Sequence, residues 1–177
     1  MILMARHGET TFNAERRFQG HSDKAVLTER GREDARKLAE EAASEGLVAL
    51  YTSPLARARE TAAIVGERVG LEPIVDERFA ETETGDWTER LYDEVDPELY
   101  AQWERAGEGW RFPGGESLAE QQERVIAGLV DVTQRRELPA LIVCHRGTIR
   151  VALCHTQQRG LDMFSEIDIP NGGLIRL

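Results

Sequence analysis

The 177-residue chain carries 32 acidic against 22 basic side chains, a formal net charge of −10. Its length suits one domain with a proper core, and its negative charge argues against nonspecific binding to nucleic acid or to an anionic membrane surface. No apolar run approaches the ~20 residues of a membrane span, and Cys144 and Cys154 form neither a CxxC pair nor a disulfide framework.

The apolar run Ile2–Ala5 reads as a buried strand starting at Met1, which leaves no room for a signal peptide. The expected setting is cytoplasmic, with both thiols reduced and buried. Thr28 is placed to cap a helix running to about Ser44, with Ala35, Leu38, Ala39 and Ala42 on one face. Val48–Tyr51 is the next strand. Pro54 suits the first turn of a helix whose stripe continues through Ala58, Thr61, Ala62, Val65 and Val69 to Gly70. Pro73–Val75 is a shorter strand.

From Thr82 to Glu116 the composition shifts: ten carboxylates, Glu108 among them, face only Arg90, Arg105 and Arg111. Trp87, Tyr92, Tyr100, Trp103, Trp110 and Phe112 give this stretch more than half of the chain's aromatics. It reads as a helical lid insertion, residues 82–116, whose aromatics either pack a solvated surface helix or touch a substrate. Ser117 and Glu120 then form a capping-box pattern opening a helix to about Arg135. Leu141–Cys144 is the last long strand, followed by a helix from Gly147 to about Gln157 and two shorter strands, Glu166–Ile169 and Leu174–Leu177. Strands alternating with helices imply a three-layer α/β/α domain over residues 1–177, its mostly parallel sheet covered on both faces.

Chemistry-bearing residues follow three of the apolar runs. Arg6-His7-Gly8-Glu9-Thr10 stands behind the first strand. Thr52-Ser53-Pro54-Leu55-Ala56-Arg57-Ala58-Arg59 follows the second, and His145-Arg146-Gly147-Thr148 follows the fourth. Strand ends are where open α/β sheets bind ligands. A small anion is repelled by the overall field, so its binding demands a local cluster of arginines. Arg6 with Arg57 or Arg59 supplies forks for phosphoryl oxygens. His7 is the candidate nucleophile, because neighbouring guanidinium groups disfavour imidazolium and a backbone carbonyl on its other N–H would fix the tautomer. His145, if protonated, adds positive charge, Asn13 an uncharged donor, and Gly147 a helix-end N–H. His21 and His155 lack partners at ligand spacing, so metal-independent chemistry without a cofactor is expected.

Seven ordered segments carry a resemblance: Arg6–Thr10 with Asn13, Gln19–Asp23, Leu27–Arg32, Thr52–Thr61, Glu81 with Gly85 and Trp87, Pro113–Ser117, and Val143–Arg150. The chain resembles the histidine phosphatase superfamily, the phosphoglycerate-mutase-like group. The resemblance implies phosphate-ester hydrolysis through a phosphohistidine on His7, with the phosphate held by Arg6, Arg57 (rather than Arg59), and His145. It assigns the proton donor to Glu81, with Glu83 as runner-up, and places Gln19 and Gly20 near the rest of the substrate. The expected partner is a small phosphorylated metabolite, with a homodimer left open. Alternatives are phosphoglycerate-mutase-type transfer, hydrolysis of α-ribazole 5′-phosphate, and a noncatalytic phosphate-binding role. Two positions depart from the group. Arg146 stands where a glycine is usual, and is expected either to meet a second anionic group or to turn outward onto an acidic neighbour. Thr88-Glu89-Arg90 replaces the usual Glu-Gly after Trp87.

Overall fold

A computed structural model describes residues 1–105, 107 and 109–177; Glu108 of the acidic stretch lies outside the described residues. Five strands form one sheet: β1 (Ile2–Arg6), β2 (Ala49–Thr52), β3 (Ile74–Val75), β4 (Ala140–Cys144) and β5 (Leu174–Arg176). Their order is β3-β2-β4-β1-β5, with β5 alone antiparallel, paired to β1. Every residue of β1, β2 and β4 is buried, as continuous apolar runs in a two-sided sheet require. Alternate side chains divide between the faces. Leu3, Ala5, Leu50, Leu141 and Val143 pack beneath α2 (Glu29–Ala43) and α3 (Ala56–Val69). Met4, Tyr51, Ile142 and Cys144 pack against α5 (Leu118–Gln134) and α6 (Arg146–Thr156). The three-layer arrangement follows from this division. Cys144 and Cys154 are both unbridged and buried in the second core.

The caps set the helix boundaries. Thr28 accepts from the Gly31 N–H, and Ser117 and Glu120 exchange both capping-box bonds. The helix expected from Pro54 starts two residues later, because the Ser53 hydroxyl takes the Leu55 N–H and holds the entry out of the helix. A short helix, α1 (Thr11–Glu15), closes on a capping box between Thr10 and Asn13 that the sequence reading does not include. Close packing dictates one glycine pair: a Cβ on Gly8 would lie 2.0 Å from the Gly31 carbonyl oxygen. Only glycines let the chain leaving β1 pass the start of α2 at that separation.

The strand expected over Glu166–Ile169 is not formed. Leu161–Glu166 is a 3-10 helix, and the carbonyls beyond it serve guanidinium groups instead of a ladder. Ile167 accepts from Arg150 at 2.6 Å and Ile169 from Arg6 at 2.7 Å.

Between residues 82 and 116 lie two 3-10 turns, Gly85–Trp87 and Tyr92–Glu94, and α4 (Pro97–Glu104), capped by Asp96. No residue of α4 is fully buried. Trp87, Val95 and Phe112 instead enclose Phe18, which follows α1, with Tyr92, Tyr100, Trp103 and Trp110 packed around them. Ring centroids sit 4.6–6.4 Å from Phe18, in tilted and edge-on pairs.

Candidate active site

The parallel strands β1, β2 and β4 end together, and each delivers a side chain to one buried spot. His7 follows β1, its N–H on the Cys144 carbonyl at 3.0 Å. Its Nδ1 lies 2.7 Å from the Gly8 carbonyl oxygen. A carbonyl only accepts, so Nδ1 carries the proton and Nε2 keeps the lone pair. Burial, then Arg57 and Arg6, push the imidazolium well below its ordinary range. The ring is therefore a neutral base of one tautomer.

His145 caps α6 after β4 and meets His7 edge-on, ring centroids 5.2 Å apart. Its Nε2 shares a 2.7 Å hydrogen bond with the Ser53 hydroxyl at the end of β2, and its Nδ1 is buried with no partner. Burial and Arg57 also hold this ring well below the usual histidine range. The charge considered for His145 from sequence is thus absent from the unliganded pocket.

These two rings make stability depend on pH. The unfolded chain takes up a proton on each as pH falls through the ordinary value of 6.5, whereas the folded chain refuses it. A depressed histidine therefore costs nothing above that pH and costs stability below it. Unfolding free energy is expected to fall by about 1.4 kcal/mol per pH unit per ring on the acid side of about 6.5. Urea titrations of wild type and His7→Ala check this: the variant's slope between pH 6.5 and 5 should be shallower by one ring's share. Parallel slopes would contradict the assignment.

Arg6 and Arg57 flank the histidines, and neither forms an ion pair with a carboxylate among the described residues. Arg57 is fully buried, donating to the Ser22 and Gly20 carbonyls at 3.1 and 2.8 Å. Arg6 donates to Ile169, and the Nε of each arginine is buried without a partner among the described residues. Burial lowers both to about 10; Arg146 adds to the effect on Arg6. Carbonyls orient these groups without neutralising them, so an acidic chain keeps a cationic pocket with spare N–H donors. Arg59 is exposed and stands outside it.

Asn13 accepts from the Thr10 N–H and from Asn171 at 3.1 and 3.2 Å, which turns its own NH2 away from these donors. Gln19 accepts from the Thr10 hydroxyl at 2.9 Å. Gly20, with φ of +44°, contributes its carbonyl to Arg57. Glu81 is half-buried; it accepts from the Thr82 N–H at 2.9 Å and the Gly147 N–H at 3.3 Å. Gly147 thus serves Glu81, and a Cβ there would lie 2.3 Å from its carboxylate. Glu83 is occupied elsewhere, accepting from Gly85 at 3.2 Å and pairing with His21 at 3.0 Å.

Several residues outside the sequence reading hold this geometry. Arg124 donates to the carbonyls of Arg78, Ala80 and Glu81 while pairing with Glu116, which fixes the Glu81 loop against α5. Asn171 donates to the His7 carbonyl at 3.1 Å. A half-buried arginine at a helical interior position and an asparagine beside Gly172 carry no motif that marks them in advance. No group of three His, Cys, Asp or Glu side chains among the described residues is placed to hold a metal ion.

Beside Glu81 a small cleft, about 60 Å³ in volume, opens between α6 and the 82–116 segment; Arg146, Arg150, Tyr92, Trp103 and Phe112 are among its walls. No helix among the described residues is long and apolar enough to cross a membrane.

A family model described as histidine phosphatase superfamily (branch 1) matches residues 2–177. Among curated proteins, the chain is 39% identical over 134 residues to "Probable phosphoglycerate mutase GpmB" of Enterobacter sp. (strain 638), covering 73% of this chain and 61% of that one. It is 35% identical over 157 residues to "Phosphoserine phosphatase 1" of Hydrogenobacter thermophilus, covering 86% and 74%. Among solved structures, Bacillus stearothermophilus YhfR superposes with a TM-score of 0.90 at 33% identity, over 99% of this chain and 90% of that one.

Proposed function

The chain belongs to the histidine phosphatase superfamily, branch 1, and we propose that it is a metal-independent phosphatase for small phosphate monoesters, acting through a phosphohistidine on His7. One observation carries this reading: a neutral, single-tautomer His7 lies between two guanidinium groups that make no ion pair with a carboxylate among the described residues. A phosphate dianion is the ligand whose charge and acceptors suit such a pocket.

In the first step the His7 Nε2 lone pair attacks phosphorus, and the bond to the ester oxygen breaks with its electron pair leaving on that oxygen. Glu81, protonated beside the bound dianion, delivers a proton there. Arg6, Arg57, His145 and Asn13 donate to the phosphoryl oxygens, where charge builds in transit. Water then attacks the phosphohistidine, giving its proton to the Glu81 carboxylate, and the P–N bond breaks to restore neutral His7. Gln19 and Gly20 support the pocket through Thr10 and Arg57. The 82–116 segment acts as the lid, with aromatics facing the leaving group. The setting we propose is cytoplasmic.

The likeness to a protein named as a phosphoglycerate mutase favours a second reading, transfer of the phosphoryl group within phosphoglycerate. Hydrolysis ranks above it because the lid has no adjacent arginine pair to retain a bisphosphorylated intermediate, and Arg111 is engaged by Gly115 and Glu120. A chelator-treated sample assayed on 4-nitrophenyl phosphate, and on 3-phosphoglycerate with 2,3-bisphosphoglycerate, separates the two. Phosphate release from the aryl ester is the expected result. Interconversion of phosphoglycerates without release would install the mutase reading instead.

A further inference from the structure

We propose that Arg146, with Arg150 behind it, forms a second anion subsite on the leaving-group side of the cleft. The preferred substrates are then phosphate monoesters whose alcohol carries another anionic group on an apolar body. The inference deepens the phosphatase reading and rests on it.

Charge matching comes first. A phosphate dianion is balanced by Arg6 and Arg57, so the cation at Arg146 is surplus to the reacting phosphate. Arg146 is half-buried at the start of α6, directly after His145, and lines the cleft beside Glu81. It makes no ion pair or side-chain hydrogen bond among the described residues. Pairing with an acidic neighbour, the alternative raised by the sequence, is thus not formed among the described residues. Glu81 is committed to Thr82 and Gly147, and Asp168 is exposed.

Arg150, one helical turn on, is 7% exposed and lines the same cleft. Its Nε donates to the Ile167 carbonyl at 2.6 Å, and its guanidinium lies 5.3 Å from the Phe164 ring centroid. Like Arg57 it is held by carbonyls and makes no direct ion pair among the described residues, the Glu81 and Asp168 carboxylates acting on it only from a distance. Arg146 is the second cause, after burial, that lowers both Arg6 and Arg150 to about 10. Neighbouring cations that disfavour one another beside a cleft are relieved by an anion bound among them. The opposite wall is aromatic, formed by Tyr92, Trp103 and Phe112, and the Trp103 indole N–H is buried without a partner. Cationic and aromatic walls facing each other fit a flat or apolar body with an anionic end.

Two nearly isosteric esters test the subsite: 4-carboxyphenyl phosphate and its uncharged 4-carbamoylphenyl counterpart. The wild type should prefer the carboxylate by at least about tenfold in kcat/KM, the scale of one charge-assisted hydrogen bond. In Arg146→Ala the ratio should fall to near one, with partial recovery in Arg146→Lys. The preference should also shrink as salt is raised. A 4-phosphonophenyl ester run alongside shows whether the second group is better a carboxylate or a phosphate-like dianion. Hydrolysis of both esters with no preference, or a preference that survives Arg146→Ala, overturns the subsite and leaves the phosphatase reading standing. Failure to hydrolyse either ester, or hydrolysis that survives His7→Ala, overturns the phosphatase reading and the subsite with it.

Discussion

His7→Ala is expected to lower kcat/KM for every phosphate monoester by at least about 10⁴-fold, the scale on which removing a covalent nucleophile acts. Nothing nearby can substitute. His145 is neutral too, but its Nε2 is already bonded to the Ser53 hydroxyl at 2.7 Å. The variant should fold, since the substitution removes an imidazole whose charged form the pocket already excludes and leaves only the Gly8 carbonyl without its partner. That lost bond costs about 1 kcal/mol. Inorganic phosphate should still bind, because Arg6 and Arg57 are held by carbonyls rather than by His7. Circular dichroism, phosphate titration and steady-state rates together check the claim. A variant that keeps its fold and its rate would sink the covalent route, and one that loses rate by failing to bind phosphate would move His7 from chemistry to binding.

Glu81→Gln separates the two halves of the reaction. The amide oxygen can keep the 2.9 Å bond from the Thr82 N–H, and only the longer 3.3 Å bond from Gly147 to the other carboxylate oxygen is lost; Arg124 still holds the Glu81 carbonyl, so the loop should keep its place. It cannot deliver a proton. Alkyl phosphates, whose leaving oxygen needs one, are expected to lose about 10²–10⁴-fold. 4-Nitrophenyl phosphate has a stable leaving anion, so its first turnover should be nearly spared while the water step slows. Stopped-flow traces should then show a burst of one nitrophenolate per enzyme followed by a slow phase. An equal first-turnover loss on both ester types would remove Glu81 from the acid role. The Glu83→Gln variant serves as the comparison, because Glu83 is tied to Gly85 and His21.

The sheet, the helix caps and the histidine–arginine pocket were legible because each rests on local signals. Continuous apolar runs mark two-sided strands, Thr28 and Ser117 mark helix starts, and Arg6-His7 and His145 stand directly behind such runs. What stayed hidden depends on partners far along the chain. Residues 166–169 have strand-like composition, but their carbonyls are claimed by Arg6 and Arg150. Arg124 reads as an ordinary charged helix position until three carbonyls of the Arg78–Glu81 turn are brought to it. Gly147 suggested a phosphate donor at a helix start, yet its N–H is turned to the Glu81 carboxylate. Composition could not decide how the aromatics of the 82–116 segment are used. All of them pack around Phe18, and Tyr92, Trp103 and Phe112 also wall the cleft.

The most direct test of the central claim is to find the phosphoryl group on the enzyme. Glu81→Gln is mixed with 4-nitrophenyl phosphate and quenched in alkali during the slow phase. The digested chain is then read by mass spectrometry. One phosphoryl group on His7, formed in step with the nitrophenolate burst and absent from the His7→Ala,Glu81→Gln double variant, is the predicted result. Continued hydrolysis with His7 unmodified, or a phosphoryl group on His145 in its place, would contradict it.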